Sequence, residues 1–181
     1  KECNIHEFAW FADKRWALRI DTLEQPNHSG KVIAFSAYYP WHNLGWSTSL
    51  DAVKKTIEGY GSKVGIYPYN TVKVVEGFLE AGGGMEYPTV TVIQESNTPS
   101  TVERVIIHEV GHNWFYGILG SNERKHPWMD EGINSFYEGK FATSIKLPFI
   151  GNTQVENLAY YTLGAAYKLS PATLSSEEFH K

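Results

Sequence analysis

Two histidines and a distant glutamate, at fixed spacing, constrain this chain more than any other feature. His108 and His112 lie four residues apart in the stretch His-Glu-Val-Gly-His, and eighteen residues separate the second histidine from Glu131. On an α-helix, residues four apart differ by about 40° around the axis, so the two imidazoles project side by side. The spacing therefore predicts two rings that can face the same ligand.

The surrounding sequence predicts the helix that this geometry requires. Ser100-Thr101-Val102-Glu103 is a capping-box pattern directly after Pro99, and apolar residues recur behind it at helical spacing. We therefore expect a helix over residues 101–118. Gly111 inside it costs about 1 kcal/mol relative to Ala, which is understandable if another group packs closely there.

The three side chains predict a catalytic zinc site. A zinc ion held by two His and one Glu keeps its fourth position for water, and Glu109, at the margin of the same helix face, can take a proton from that water. This helical pentapeptide is typical of metalloproteases. The alternative is a buried His pair satisfied by hydrogen bonds alone. The separate carboxylate of Glu131 favours the metal.

Composition excludes several classes of function. With 181 residues, 42% of them hydrophobic and 20% charged, the chain can bury its own core and is not of the disordered type. The sixteen Lys and Arg residues are scattered and the formal net charge is −4, so we expect no nucleic-acid partner. No apolar run approaches the length of a membrane span. Cys3 is the only cysteine, so the metal site cannot be thiolate-based, and the compartment stays undetermined.

Strand-type residues dominate the first half of the chain. Residues 15–23 and 31–39 flank a turn region and predict a β-hairpin. Two β-branched runs, at 72–75 and 89–94, predict further strands on either side of the flexible run Gly82-Gly83-Gly84.

Helical periodicity dominates the last third. Beyond the histidine helix we expect helices over 128–144 and 154–168, and an earlier amphipathic helix over 47–60 with a stop at Gly59 and Gly61. A mixed sheet followed by helices is an α+β layout. We expect the helices to cover the sheet, with the metal in the cleft between.

Three motifs together carry a family resemblance. The histidine helix is followed by Trp128-Met129-Asp130-Glu131-Gly132. Gly83-Gly84-Met85-Glu86-Tyr87 is similar to a Gly-Ala-Met-Glu-Asn exopeptidase motif, and His6-Glu7-Phe8-Ala9-Trp10 to a junction between domains. Over about residues 6–140 the sequence resembles the gluzincin zinc aminopeptidases, the family of aminopeptidase N and the bifunctional leukotriene hydrolase.

The resemblance implies a thermolysin-like zinc metallopeptidase catalytic domain. Residues 1–14 would be the junction from a missing N-terminal β-domain. Residues 15–181 would be the catalytic domain, truncated at its C-terminal end. The expected partners are peptide substrates and the missing N-terminal and C-terminal domains of the parent chain.

The resemblance also implies a role for each motif residue. His108, His112 and Glu131 would bind zinc, Glu109 would be general base and later proton donor, and Glu86 would anchor the substrate's free amine. An α-ammonium is largely charged at neutral pH and needs a carboxylate partner in a cleft. With the amine fixed, only the first peptide bond can reach the water bound by zinc, so the expected function is an aminopeptidase.

The other residues of the second motif are expected to bind the peptide as well. Bare backbone at Gly83 and Gly84 would let a substrate lie close and pair as an added strand. Met85 and Tyr87 complete this segment. A plain flexible loop is the alternative for the glycines. Tyr87 stands where the family usually has Asn, and its alternative role is packing at a strand edge.

Some expected groups fall outside these motifs. The family's oxyanion-stabilising tyrosine is expected beyond Lys181, because Tyr160, Tyr161 and Tyr167 lie too near the third ligand and have the pattern of packing residues. We therefore expect this chain by itself to hydrolyse peptides poorly.

Three further side chains are candidates for supporting the ligands. Glu138 lies seven positions after Glu131 and could orient an imidazole N–H, and Asn113 and Asn134 could do similar work.

An endopeptidase, an epoxide hydrolase on the same zinc site and a non-catalytic peptide-binding domain stay open as alternative functions.

Overall fold

The computed structural model describes residues 5–25, 30–80 and 82–145. Within them, a five-stranded mixed sheet carries helices on one face, so the predicted α+β class is confirmed. The helix expected over 154–168, which would contain Tyr160, Tyr161 and Tyr167, lies outside the described residues.

The predicted hairpin is present at the start of the sheet. Strand β1 (Ala17–Glu24) pairs antiparallel with β2 (Lys31–Tyr38). Val32, Ala34 and Ser36 of β2 are fully buried, because residues two apart on a strand share a face and this face meets the helices.

Three parallel strands form the middle of the sheet. β3 (Thr71–Gly77) and β5 (Val90–Gln94) form where the β-branched runs predict strands, and β3 pairs in parallel with β2 on one side and with β5 on the other. The spatial order is β1-β2-β3-β5-β4. The edge strand β4 (Gly84–Met85) lies within the run expected to be a flexible loop or a strand-pairing segment, and it pairs antiparallel with β5.

The helices follow the predicted order. After a 3₁₀ turn at Pro40–His42, the α-helices are α1 (Asn43–Trp46), α2 (Ser49–Lys63), α3 (Pro99–His112) and α4 (Ile133–Ser144). π-helical turns at Asn113–Ile118 and Trp128–Gly132 extend α3 and introduce α4. In the described residues no helix is both long enough and apolar enough to cross a membrane.

Helix α2 does not stop at its glycines. It runs through Gly59 and Gly61 to Lys63, so the predicted glycine stop is wrong. Gly59 faces the ring of Phe141, where an added Cβ would overlap the ring atoms. This glycine therefore permits close packing of α2 against α4 rather than ending a helix.

Helix α3 begins earlier than its capping pattern suggests. Pro99 occupies the first helical turn, and Thr98 is the N-cap, whose side chain makes no capping hydrogen bond. The predicted capping box is therefore not formed; proline suits this position because its fixed φ matches the helix and its missing N–H costs nothing there. The α-helical part ends at His112 and the chain continues as a π-helical turn.

The core lies between the sheet and the helices. Its buried side chains include Trp46, Ile57, Tyr60, Ile93 and Ile106. A small cluster on the opposite face joins Ala37, Val75 and Val92 to Phe11, Trp16, Leu79, Met85 and Tyr87. Helix α3 thus has one buried face, and its histidines lie on the side of α4 and the β4 edge.

Candidate metal centre

The structure brings the three predicted ligand side chains together. His108 and His112 share one face of α3, and Glu131 reaches them from the π-helical turn before α4. The two Nε2 atoms lie 3.1 Å apart, and Glu131 Oε2 lies 3.2 Å from Nε2 of His108 and 3.6 Å from Nε2 of His112. Three lone-pair donors therefore converge on one point.

These separations fit a tetrahedral zinc ion. With bonds of about 2.0–2.1 Å, a tetrahedral ion holds neighbouring ligand atoms roughly 3.3 Å apart. Two imidazoles, one carboxylate and room for a further ligand is also the donor set of catalytic zinc. By this test of donor type and spacing, the residues fit the metal.

The other nitrogen of each imidazole binds a carboxylate. Nδ1 of His108 lies 2.9 Å from Glu138 Oε2, and Nδ1 of His112 lies 2.5 Å from Asp130 Oδ1. When each Nδ1–H donates to its carboxylate, both Nε2 lone pairs are directed at the shared point. Glu138 thus lies where the sequence analysis expects it.

Asp130 is the residue that sequence analysis missed. Its side chain is 1% exposed, and its Oδ2 has no hydrogen-bond partner within the described part of the chain. Burying a carboxylate is costly unless it is paired, and its pairing here is with His112. The available signal was a second acid immediately before Glu131.

The two candidate asparagines do not touch an imidazole nitrogen. Asn134 donates from Nδ2 to the backbone oxygen of His108 at 2.7 Å and accepts from the Tyr60 hydroxyl at 3.1 Å. Asn113 accepts a hydrogen bond from Thr89 N and donates one to the backbone oxygen of Val110 on its own helix. The expectation that they orient the rings is therefore corrected: carboxylates do so, since a carboxylate is the stronger acceptor for an imidazole N–H.

Replacing Asp130 with Ala should weaken zinc binding by about 10–100-fold, the usual effect of losing an outer-shell partner. The reason is that His112 would lose the acceptor that holds its ring and its tautomer. Competition with a chromogenic chelator measures this affinity. Asp51→Ala, at an exposed position of α2, is the matched control and should leave the affinity unchanged. Equal affinities in all three proteins would contradict this role.

Glu109 is buried beside the convergent ligands. It is 5% exposed, and its Oε2 makes no hydrogen bond to any residue that the structure describes. Burial raises the pKa of its carboxyl to about 7, although the neighbouring His108 and His112 oppose the change. A carboxyl that titrates near neutral pH can both accept and return a proton.

The glycine motif packs directly on Glu109. A Cβ added at Gly84 would lie 2.5 Å from the Glu109 carboxyl carbon, so a side chain there would displace the Glu109 carboxylate. Gly111 shows a similar restriction on the helix side, because a Cβ there would lie 2.7 Å from the Tyr60 hydroxyl and still nearer Asn134. The close neighbours expected for Gly111 are therefore present.

Glu86 follows β4 and points to the same side. Ligand atoms of Glu86, Glu109 and His112 all lie within 4.8 Å of one another. Glu86 is 7% exposed; burial raises the pKa of its carboxyl to about 7, with nearby acids adding to the effect and His112 opposing it. Two buried carboxylates therefore lie side by side next to the candidate metal point.

The remaining residues of the glycine motif have separate positions. Gly83 has a φ of +69° and accepts a hydrogen bond from Gln94 N at 2.9 Å. Met85 pairs with Val92 in the sheet. The Tyr87 ring lies 6.0 Å from that of Phe11, on the other face of the sheet. This contact agrees with its alternative role as a packing aromatic.

The electrostatic environment where His108, His112 and Glu131 converge favours a cation. Burial works against the imidazolium of His108, yet hydrogen bonds to Glu131 and Glu138 raise its pKa to about 10. The hydrogen bond to His108 likewise lowers the pKa of Glu131. Acidic groups thus outweigh the desolvation of a positive charge at this point.

Known proteins are similar to this chain in sequence and in fold. No family model matches the sequence. Aminopeptidase N of Plutella xylostella is 30% identical over 77 residues, which is 40% of this chain and 8% of that protein.

The structural likeness is broader. An M1 zinc metallopeptidase from Deinococcus radiodurans matches 86% of this chain at a TM-score of 0.64 and 18% identity. An E323A mutant of it, bound to a Tyr-Ser-Ala substrate, matches 89% of this chain at a TM-score of 0.65 and 19% identity. Aminopeptidase A of Legionella pneumophila matches 71% of this chain at a TM-score of 0.58 and 13% identity.

This chain spans only part of each of these proteins. It covers 35%, 36% and 16% of the three solved chains. The matching region nevertheless includes most of the sheet and helices described above. The fold is thus that of M1 metallopeptidase domains, and part of the sequence is similar to an aminopeptidase N.

Proposed function

We propose that this chain carries the zinc site of an aminopeptidase, which hydrolyses the N-terminal bond of peptides. The observation that carries the proposal is the position of Glu86. Its buried carboxylate lies beside Glu109 and His112, with ligand atoms within 4.8 Å of one another. A charged amine held by Glu86 therefore places the adjacent carbonyl group next to the general base.

The metal would be held by His108, His112 and Glu131 in a thermolysin-like domain. When bound, zinc would act as a Lewis acid and would lower the pKa of a water molecule bound to it. Asp130 and Glu138 hold the two imidazole rings from behind, so that both Nε2 atoms keep their lone pairs towards the ion.

Glu109 would act as the general base and later as the proton donor. Its Oε2, which has no hydrogen-bond partner among the described residues, can accept a proton from water, and its raised pKa lets it return that proton to the leaving amine. Because Gly84 lies against this carboxylate, the base cannot swing away from the cleft towards β4.

Glu86 would determine where the peptide is cut. Burying this carboxylate has a desolvation cost that an α-ammonium can offset. The edge strand β4, including Gly84 and Met85, offers free backbone to which an extended peptide can add as a strand, with Gly83 and Tyr87 flanking that strand. Together these features fix both the direction of the peptide and its starting point.

The test compares a reporter with a free N-terminal amine against its N-acetylated counterpart, on the zinc-loaded full chain. We expect cleavage of the free form to dominate. In the Glu86→Gln protein the ratio of the two kcat/KM values should fall by about 30-fold or more, because losing one partner of a buried charge pair costs about 2–5 kcal/mol.

Glu80→Gln is the matched control, since Glu80 is exposed a few residues earlier. It should keep the wild-type ratio. If the wild type cleaves both reporters equally, the site is that of an endopeptidase and the proposal is wrong. If only a lipid epoxide is turned over, the epoxide hydrolase alternative holds instead.

A further inference from the structure

We propose that Asn113 is a positioning residue for amine recognition. It would fix Glu86 relative to α3, the helix that carries His108 and His112, by holding the backbone of Thr89 in a left-handed conformation. The inference rests on the proposed function, because it concerns the placement of the amine anchor.

The turn after Glu86 contains an unusual backbone conformation. Thr89 has a φ of +67°, and among the described residues it is the one non-glycine with a positive φ. Val90 N donates to Tyr87 O at 2.9 Å, which closes a four-residue turn with Pro88 and Thr89 at its centre. A turn with positive φ at its third residue usually has Gly there, and a β-branched side chain is strongly disfavoured. Something else must therefore hold Thr89 in place.

Asn113, at the end of α3, holds the Thr89 backbone in this conformation. Its Oδ1 accepts a hydrogen bond from Thr89 N at 3.0 Å, and its Nδ2 donates to Val110 O at 3.0 Å. The second bond fixes which end of the amide faces Thr89. Asn113 is 1% exposed and Thr89 is 4% exposed, so water does not compete for either bond.

The other side of the Thr89 peptide is held by the sheet. Lys73 N, on β3, donates to Thr89 O at 2.9 Å. Thr89 is thus clamped between a central strand and the helix that bears the metal ligands. Because Asn113 directly follows His112, the clamp links the turn to a ligand residue through a single side chain.

Glu86 lies between two fixed points of this segment. Met85, directly before it, pairs with Val92 in the sheet, and the clamped turn begins directly after it. If Thr89 relaxed to an ordinary negative φ, the peptides of the turn would rotate and Glu86 would lose one of its two supports. The distance from the amine anchor to His112 would then be set by the β4 edge alone.

Three variants of the zinc-loaded full chain test this role: Asn113→Ala, Thr89→Gly and the double variant. In Asn113→Ala we expect KM for the free-amine reporter to rise about tenfold or more, with kcat nearly unchanged. The reason is that a small displacement of the Glu86 carboxylate is enough to weaken binding of the amine. The ratio of free-amine to N-acetylated cleavage should fall by the same factor. Thr89→Gly should keep the wild-type ratio, because glycine adopts a positive φ without strain.

Rescue separates positioning from simple structural damage. Since glycine removes the strain that Asn113 counteracts, the double variant should regain most of the lost ratio. Hydrogen exchange should show a faster Thr89 amide in Asn113→Ala, while zinc content stays at the wild-type level. Asn122→Ala, at an exposed position, is the matched control and should behave as wild type.

Two failures can be told apart. A wild type without preference for the free amine overturns the proposed function, and the positioning role with it. A wild type with that preference, whose Asn113→Ala variant keeps it, overturns only the positioning role. An Asn113→Ala variant that loses kcat equally on both reporters, without rescue by Thr89→Gly, also overturns it.

Discussion

In the Glu109→Gln protein we expect peptide hydrolysis to fall by about 10²–10⁴-fold, the usual contribution of a positioned acid–base group. The amide is nearly isosteric with the buried carboxyl but cannot accept a proton. Glu109 lies beside the candidate metal ligands without being one of them, so zinc content should stay stoichiometric. Steady-state kinetics on a free-amine reporter, together with elemental analysis, measure both quantities.

The matched control is Glu103→Gln, a partly exposed position earlier on the same helix. It should retain full activity, because Glu103 lies six residues before Glu109, about 9 Å along the helix axis. Unchanged turnover in Glu109→Gln would show that another group takes the proton. Loss of zinc from that variant would instead make Glu109 part of the metal site.

In the His112→Ala protein we expect zinc binding to weaken by more than the ~10–100-fold typical of an outer-shell partner, because a direct donor is removed. The buried carboxylate of Asp130 would also lose its partner. Zinc at about 1,000 times the wild-type dissociation constant should stabilise the wild type by about 4 kcal/mol and the variant by less than about 1.5 kcal/mol. Calorimetry with and without a chelator measures this difference.

Two further proteins make the test decisive. Glu131→Ala removes the ligand whose side chain is 53% exposed, so it should lose zinc with little risk to folding. His126→Ala, at an exposed position, should bind zinc as the wild type does. Zinc affinity and chelator response equal to wild type in both ligand variants would refute the metal centre.

Much of the fold is predictable from local patterns. The hairpin, the two β-branched strands and the helices expected within the described residues follow from residue periodicity and composition, which report which face of an element is buried. Ends of elements are less predictable. Gly59 has the composition of a helix stop, yet its role depends on Phe141, which lies far along the chain.

The candidate site divides in a similar way. The proximity of His108 to His112 follows from helix geometry, because four residues make about one turn. The pairing of His112 with Asp130 does not, since it depends on how the turn before α4 approaches α3. The same holds for the bond from Asn113 to Thr89, which joins a helix to a turn 24 positions away in sequence.

Taken alone, the amino-acid order determined the α+β class, the helical histidine pair, and the candidate ligands and base. Each of these depends on spacing within one element or on a short motif. Tertiary structure alone decided which carboxylates support the imidazoles, which groups a side chain at Gly84 or Gly111 would displace, and how Glu86 comes to lie beside Glu109. Those contacts join separate elements, and packing rather than local periodicity sets the distances between them.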